Sequence, residues 1–332
     1  MGFMRSDEHL LLMNYNSTVT IDATHIMTLD ERIKLNRHGI YTAIEYPRWT
    51  RLEPQKGAYN FEPIETIIRL NREAHTKTIL SVCGSELPDW MPNEWFAKQK
   101  DGKVRREVLS LWNKEAQDYK CKFYEKIIKE FSAPDVMFIL GEYMEGEAIL
   151  PCEPSFYDDA AIEDYNKYWD DSLPDINSKP TKLWLYNTAL KYFVDLQKLF
   201  IQQHNEIWNM QQWLMNTWSQ STINYVQPEL MKMYKEKFPE ANIVLLQYTY
   251  YDEYHPQENV NWVKHLQEVS NCEIIVEAHF CKGLKETTPK AITEGFRGQI
   301  LCPIHVMSGQ SSMETWMYKE IKRSCELWLE KS

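Results

Sequence analysis

The stretches Val136-Met-Phe-Ile-Leu-Gly-Glu142 and Glu273-Ile-Ile-Val-Glu277-Ala-His279 are short apolar runs that each lead into a glutamate. Runs rich in valine and isoleucine are typical of strands that are buried on both faces, as in parallel sheets. A carboxylate at the end of such a strand is costly unless it is solvated, paired or used in chemistry. The two runs therefore predict a parallel sheet that carries Glu142 and Glu277 at strand ends.

Strand-like and helix-like segments alternate along the whole chain. The capping box Thr28-Leu-Asp-Glu31 predicts a helix start and Gly39 its end, and Pro63 predicts the start of the next helix. A short helix is expected after Pro289, and a last helix that begins at 311–314 is expected to bury Trp316. The predicted strands are 10–13, 41–44, 78–82, 136–140, part of 206–216, 243–248, 274–276 and 299–306.

This alternation predicts the fold class. Parallel strands need crossover connections, which are usually helical, and eight strand–helix units predict an α/β protein with a closed (β/α)₈ barrel, the TIM barrel. We expect residues 1–332 to form a single domain, because one barrel commonly fills this length. No glycine-rich phosphate loop follows a strand. The long loops at 84–115 and 146–179, after the third and fourth strands, are expected to carry function.

The charge and composition of the chain narrow the classes of binding partner that we expect. The formal net charge of −11 disfavours nucleic acid and anionic membranes. No apolar stretch approaches the ~20 residues that span a bilayer, and charges near Met1 argue against a signal peptide, so we expect a cytoplasmic protein. The seven cysteines form an odd set without a Cys-x-x-Cys pair, which indicates reduced thiols.

Two converging carboxylates suit glycoside hydrolysis. That reaction needs one carboxyl group that protonates a leaving oxygen and one that stays ionised to attack carbon or activate water. Glu142 and Glu277 are the candidates. The structural alternative is that each is a lone carboxylate paired with Arg48, Arg51 or a nearby lysine.

The segment Glu45-Tyr-Pro-Arg-Trp49-Thr-Arg-Leu-Glu-Pro54-Gln-Lys-Gly57-Ala-Tyr59-Asn-Phe61 resembles the second strand and loop of clan A glycoside hydrolases, closest to the family 42 β-galactosidase type. Leu87-Pro-Asp-Trp90-Met resembles the Pro-x-Trp of the same enzymes. The resemblance implies that Glu142 is the acid/base and Glu277 the nucleophile of a retaining mechanism. Gly141 stands where the family has asparagine, and the family's four-cysteine zinc cluster and additional C-terminal domains have no visible counterpart, so galactose specificity does not transfer.

A second resemblance gives an alternative acid. Gly146-Glu147-Ala-Ile-Leu-Pro151 and Tyr165-Asn-Lys-Tyr168 are faintly similar to β-amylase, in which the corresponding glutamate is the acid and the mechanism inverts. Glu142, Glu145 and Glu147 therefore compete for the acid role.

Polar and aromatic residues near predicted strand ends are candidates for sugar binding. Flat rings stack on the apolar face of a pyranose, although each ring could equally belong to the core. A His279/Cys281 metal site lacks further ligands, and we expect no metal and no cofactor. The predicted substrate-binding residues are Glu45, Trp49, Trp90, Trp213, Trp218, Tyr248 and His279.

The leading hypothesis is a retaining glycoside hydrolase that acts on a β-linked glycoside, with a carbohydrate as its partner. The alternatives are an inverting hydrolase that uses Glu147 and a non-catalytic carbohydrate-binding barrel, which the loss of asparagine at Gly141 would suit. The sugar and the oligomeric state stay open.

Overall fold

The structure is a computed structural model, and all structural statements below concern the residues that it describes. These are 10–14, 27–81, 87–139, 155–169, 173–175, 178–201, 206–210, 226–247, 267–268, 272–278, 284–301 and 315–330. None of the helices within these ranges is long and apolar enough to cross a membrane.

Eight strands form one parallel sheet. The strands are β1 Leu10–Asn14, β2 Thr42–Glu45, β3 Lys77–Ser81, β6 Val136–Ile139, β7 Glu206–Met210, β8 Asn242–Gln247, β9 Glu273–Ala278 and β10 Gly298–Leu301. Their hydrogen-bonded order is β6-β3-β2-β1-β10-β9-β8-β7, so strands that follow one another in the chain are neighbours in the sheet, apart from β6 and β7 at its two ends.

The helices connect these strands. They are α1 Leu29–Arg37, the single-turn α2 Trp49–Leu52, α3 Glu62–Glu73, α4 Lys114–Phe131, α5 Asp159–Asn166, α6 Lys179–Phe200, α7 Val226–Lys237, α8 Leu284–Thr293 and α9 Thr315–Glu330. The described helices and strands follow the predicted alternation, except that the predicted helix between β8 and β9, through Trp262 and Leu266, lies outside the described residues. The fifth strand lies within the range predicted for it.

The two ends of the strand order lie side by side. Cα atoms of β6 and β7 approach within 8 Å of each other, although no hydrogen-bonded ladder between them is seen in the described part of the chain. The order and the proximity are consistent with a (β/α)₈ barrel. Full closure stays a prediction.

Local sequence signals explain the helix ends. Thr28 and Glu31 form the reciprocal capping box at the start of α1. Gly39, just beyond that helix, has φ +101°, and a Cβ there would lie 2.6 Å from the Cβ of Cys325. Both the positive φ and the close approach of α9 therefore require glycine at this position.

The sheet has two differently packed faces. Ala43, Leu80 and Phe138 belong to the large core that the sheet shares with its helices. Ile44 and Ile79 alternate with them and are also buried, but lie outside that core. Because side chains alternate along a strand, these residues define the opposite, inner face of the sheet.

Three sequence predictions need correction or extension. The loop after β3 holds a 3₁₀ turn, Asn93–Trp95, and an antiparallel pair, β4 Phe96–Lys98 and β5 Val104–Leu109, which were not predicted. Pro289 lies inside α8 rather than before it, as the sixth residue of the helix, where the missing N–H removes one i→i−4 hydrogen bond. Trp316 is 37% exposed, not buried, since it lies on the outer face of α9. The predicted helix start at 311–314 lies outside the described residues.

Candidate active site

The predicted nucleophile lies on the seventh strand of the sheet. Glu277 is the penultimate residue of β9, and its Cα pairs in register with that of Ile300 on β10. The backbone therefore carries this glutamate to the carboxyl end of a parallel strand, the edge at which barrel enzymes assemble their active sites.

The fourth strand is described only as far as Ile139, three residues before Glu142. Because Glu142, Glu145 and Glu147 lie beyond this point, outside the described residues, all three stay candidates for the acid. The predicted site residues that lie outside the described ranges are Glu142, Glu145, Glu147, Trp213, Trp218, Tyr248 and His279, and the side chain of Glu277 is also undescribed.

Glu45 was predicted to bind substrate, but its carboxylate is buried between the sheet and the helices. It accepts hydrogen bonds from Arg32 of α1 and, at 3.3 Å, from Asn71 of α3. Asn71 in turn donates to Thr78 on β3 at 3.0 Å. Burial raises the pKa of Glu45, and the Arg32 charge opposes that rise. Because this network faces the helices, we correct the role of Glu45 to a structural one.

Trp49 is likewise a packing residue. Its side chain is wholly buried, and its ring stacks on Phe123 of α4 at a centroid distance of 4.0 Å and an interplanar angle of 7°. The indole N–H donates to Glu53 Oε2 at 2.9 Å. With no face open to a ligand, Trp49 anchors the loop after β2 to α4.

Glu53 organises this part of the molecule, a role that was not predicted from the sequence. Its buried carboxylate accepts hydrogen bonds from Trp49, from Gly57 N at 2.7 Å and from Tyr119 of α4. Burial, followed by the hydrogen bond to Glu53, raises the pKa of Tyr119 far above its ordinary value. The Leu-Glu-Pro and Gly of the resemblance were the sequence signal for this arrangement.

Trp90 differs from Trp49 because it is only half-buried. Its indole N–H donates to the backbone oxygen of Glu53 at 2.9 Å. Its ring meets those of Trp95 and Tyr119 at steep angles, with centroid distances of 6.2 Å and 5.3 Å. Trp90 thus remains a candidate for contact with substrate.

A second contact links the loops after β3 and β6. Ser110, beyond the β4–β5 hairpin, donates from Oγ to Asp158 Oδ1 at 2.8 Å, and the same oxygen caps α5 through Ala161 N at 3.1 Å. Asp158 Oδ2 is buried and has no hydrogen-bond partner among the described residues. Burial raises the pKa of Asp158, and the Ser110 hydrogen bond offsets part of the rise. The described parts of the two long predicted loops are therefore in direct contact.

Comparison with known sequences points to one family of glycosidases. The profile of glycoside hydrolase family 42, described as beta-galactosidase, matches residues 26–131. Beta-galactosidase Pbg from Clostridium perfringens is 28% identical over an alignment of 175 residues that covers 47% of this chain and 25% of that protein. The match therefore spans about a quarter of the relative's length.

Solved structures share the fold. The catalytic domain of β-amylase from Paenibacillus polymyxa superposes with a TM-score of 0.67 at 13% identity, covering 94% of this chain and 97% of that chain. β-Galactosidase from Marinomonas ef1 superposes with a TM-score of 0.68 at 12% identity, covering 96% of this chain and 59% of that chain. The β-galactosidase from Halorubrum lacusprofundi superposes with a TM-score of 0.67 at 12% identity, covering 96% of this chain and 58% of that chain. The chain thus resembles clan A glycoside hydrolases, most specifically family 42 over its first third.

Proposed function

We propose that this protein is a glycoside hydrolase that cleaves a β-linked glycoside or oligosaccharide with retention of configuration. One observation carries the proposal: Glu277 lies at the carboxyl end of the seventh strand in a sheet whose second strand and loop resemble family 42. In that family the nucleophile occupies the seventh strand end, and the carbohydrate substrate follows from the same resemblance.

The period of two along a strand supports the role of Glu277. Ile274 and Val276 belong to the core shared with the helices, whereas Ile275 is buried outside it. Strand periodicity therefore predicts that position 277 shares the inner face with Ile275. A nucleophile there would attack the anomeric carbon, while Glu142 would protonate the leaving oxygen and later deprotonate water.

The inverting alternative has one supporting observation. The β-amylase catalytic domain is matched over almost its whole length, 97%, whereas the Marinomonas β-galactosidase is matched over 59%. On this alternative Glu147 is the acid, and the product has the opposite anomeric configuration.

A panel of nitrophenyl glycosides tests the proposal, with the β-galactoside first because the matching relatives are named β-galactosidases. We expect turnover of at least one β-glycoside, and proton NMR should show the β-anomer as the first product. An α-anomer as first product would support inversion. Sugar binding without turnover of any glycoside would support the non-catalytic barrel.

A further inference from the structure

The loop formed by residues 87–95 follows β3 and carries Trp90. Trp90 is partly exposed, and its indole N–H donates a hydrogen bond to the backbone oxygen of Glu53 at 2.9 Å. No other described tryptophan between residues 49 and 112 combines these two features. A partly exposed tryptophan whose ring is held at its edge by a hydrogen bond is suited to stacking on a sugar, because little conformational entropy is lost when the ligand binds.

The loop is held from the opposite side by Arg106 of β5. Its guanidinium donates to Asn93 Oδ1 at 2.7 Å and to the backbone oxygen of Asp89 at 3.1 Å. It also lies over the Phe96 ring, 4.4 Å from the centroid. The residues on both sides of Trp90 are therefore tied to the β4–β5 hairpin, while Trp90 itself is tied to the loop after β2.

The sheet order indicates which part of a substrate the ring would meet. β3 pairs directly with β6, with Ser81 in register with Ile139, and β6 leads to the candidate acid Glu142. β9, which bears Glu277, is four strands away from β3 in the sheet order. The acid protonates the leaving group, so a platform beside the fourth strand lies on the leaving-group side of the scissile bond.

We infer that Trp90 is a stacking platform for the leaving-group sugar and that Glu53 is its positioning residue. This inference rests on the proposed function. The Glu53 carboxylate fixes the turn through Trp49, Gly57 and Tyr119, and the backbone oxygen of the same residue then holds the Trp90 ring. Glu53 acts through Trp90 and does not contact substrate.

The test compares two substrates of the sugar that the nitrophenyl panel identifies: a disaccharide and the glycosyl fluoride. The fluoride has no leaving-group sugar. The ratio of kcat/KM for the disaccharide to kcat/KM for the fluoride therefore measures the contribution of contacts with the leaving-group sugar. We expect Trp90→Ala to lower this ratio about tenfold, mainly through KM, a factor equivalent to about 1.4 kcal/mol. Glu53→Gln should lower it in the same direction by a smaller factor.

Trp90→Phe keeps an aromatic face but loses the hydrogen bond to Glu53, and should give an intermediate ratio. Trp112→Phe is the matched control, because the Trp112 indole N–H is buried without a hydrogen-bond partner in the described structure. Its ratio should equal that of the wild type. If circular dichroism shows that Glu53→Gln is unfolded, the positioning role of Glu53 is tested with Trp90→Phe instead.

An unchanged ratio in Trp90→Ala, with an active wild type, would overturn this inference and leave the proposed function intact. A normal ratio in Trp90→Phe together with a low ratio in Trp90→Ala would overturn the positioning role of Glu53 alone. A wild-type protein that cleaves neither substrate would overturn the proposed function, and the inference with it.

Discussion

The guanidinium of Arg32 donates a hydrogen bond to the Glu45 carboxylate between the sheet and its helices, and neither side chain is exposed to solvent. Removing one partner of such a pair leaves an uncompensated buried charge. We therefore expect Arg32→Met to lower the free energy of unfolding by about 3–5 kcal/mol, measured by urea denaturation.

The double variant Arg32→Met, Glu45→Met is the control for that experiment. It removes both charges, so it should recover much of the lost stability. Glu45→Gln should retain the wild-type KM in its folded fraction, because Glu45 faces the helices. A raised KM at unchanged stability would instead return Glu45 to the substrate site that the sequence predicted.

Trp49 gives a second test of packing against binding. Its ring is wholly buried against Phe123, so Trp49→Ala should destabilise the protein by about 3–5 kcal/mol. Trp316→Ala, at a position that is 37% exposed, should destabilise the protein clearly less than Trp49→Ala does. Equal effects in thermal or urea unfolding would contradict the assigned burial.

We expect the ionisation of Asp158 to lower the free energy of unfolding as pH rises. Burial raises the pKa of its carboxyl above the unfolded value, despite the Ser110 hydrogen bond and the positive charge of Lys98. A group whose pKa is raised by folding makes its full contribution to the free energy of unfolding below its unfolded pKa. This contribution is lost as pH rises through the folded pKa. Asp158→Asn should therefore gain stability relative to wild type as pH rises above about 4, the ordinary pKa of an aspartate.

The neighbouring Asp159→Asn is the matched control for Asp158, since its side chain is 94% exposed. Its unfolding free energy should run parallel to that of the wild type across the same pH range. Parallel curves for Asp158→Asn as well would show that Asp158 does not titrate abnormally.

Local signals predicted much of the fold because they act over a few residues. Thr28 with Glu31, and Pro63 at the first turn of α3, mark helix starts through their own hydrogen bonds and geometry. The Asp101-Gly102 pair, with Gly102 at φ +85°, is the local signal for the β4–β5 hairpin, which was not predicted.

The direction in which a side chain faces was harder to predict. β2 has four residues, all buried, so its pattern does not show which face Glu45 occupies. The burial of Trp49 depends on α4, more than sixty residues away in sequence, and the role of Glu53 depends on Tyr119 in the same helix. Such contacts arise from tertiary packing and leave no periodic signal.

The role of Glu142 can be tested with leaving groups of different quality. A good aryl leaving group departs with little protonation, so Glu142→Ala should keep more activity on dinitrophenyl glycosides than on natural substrates. Added azide should restore turnover, because the acid/base no longer needs to deprotonate water. Comparable loss on both substrates without an azide effect would move the acid role to Glu145 or Glu147.

The most direct test of the central claim compares two glutamates of the same strand. Glu273 opens β9 and is paired with Arg297, whereas Glu277 lies near the end of the strand. Both Glu→Gln variants should be assayed on the best dinitrophenyl glycoside, with circular dichroism confirming that each is folded. We expect Glu277→Gln to lose at least about 10³-fold in kcat, equivalent to about 4 kcal/mol in the barrier, while Glu273→Gln stays active. Full activity in folded Glu277→Gln would contradict the assignment of the nucleophile and the retaining mechanism built on it.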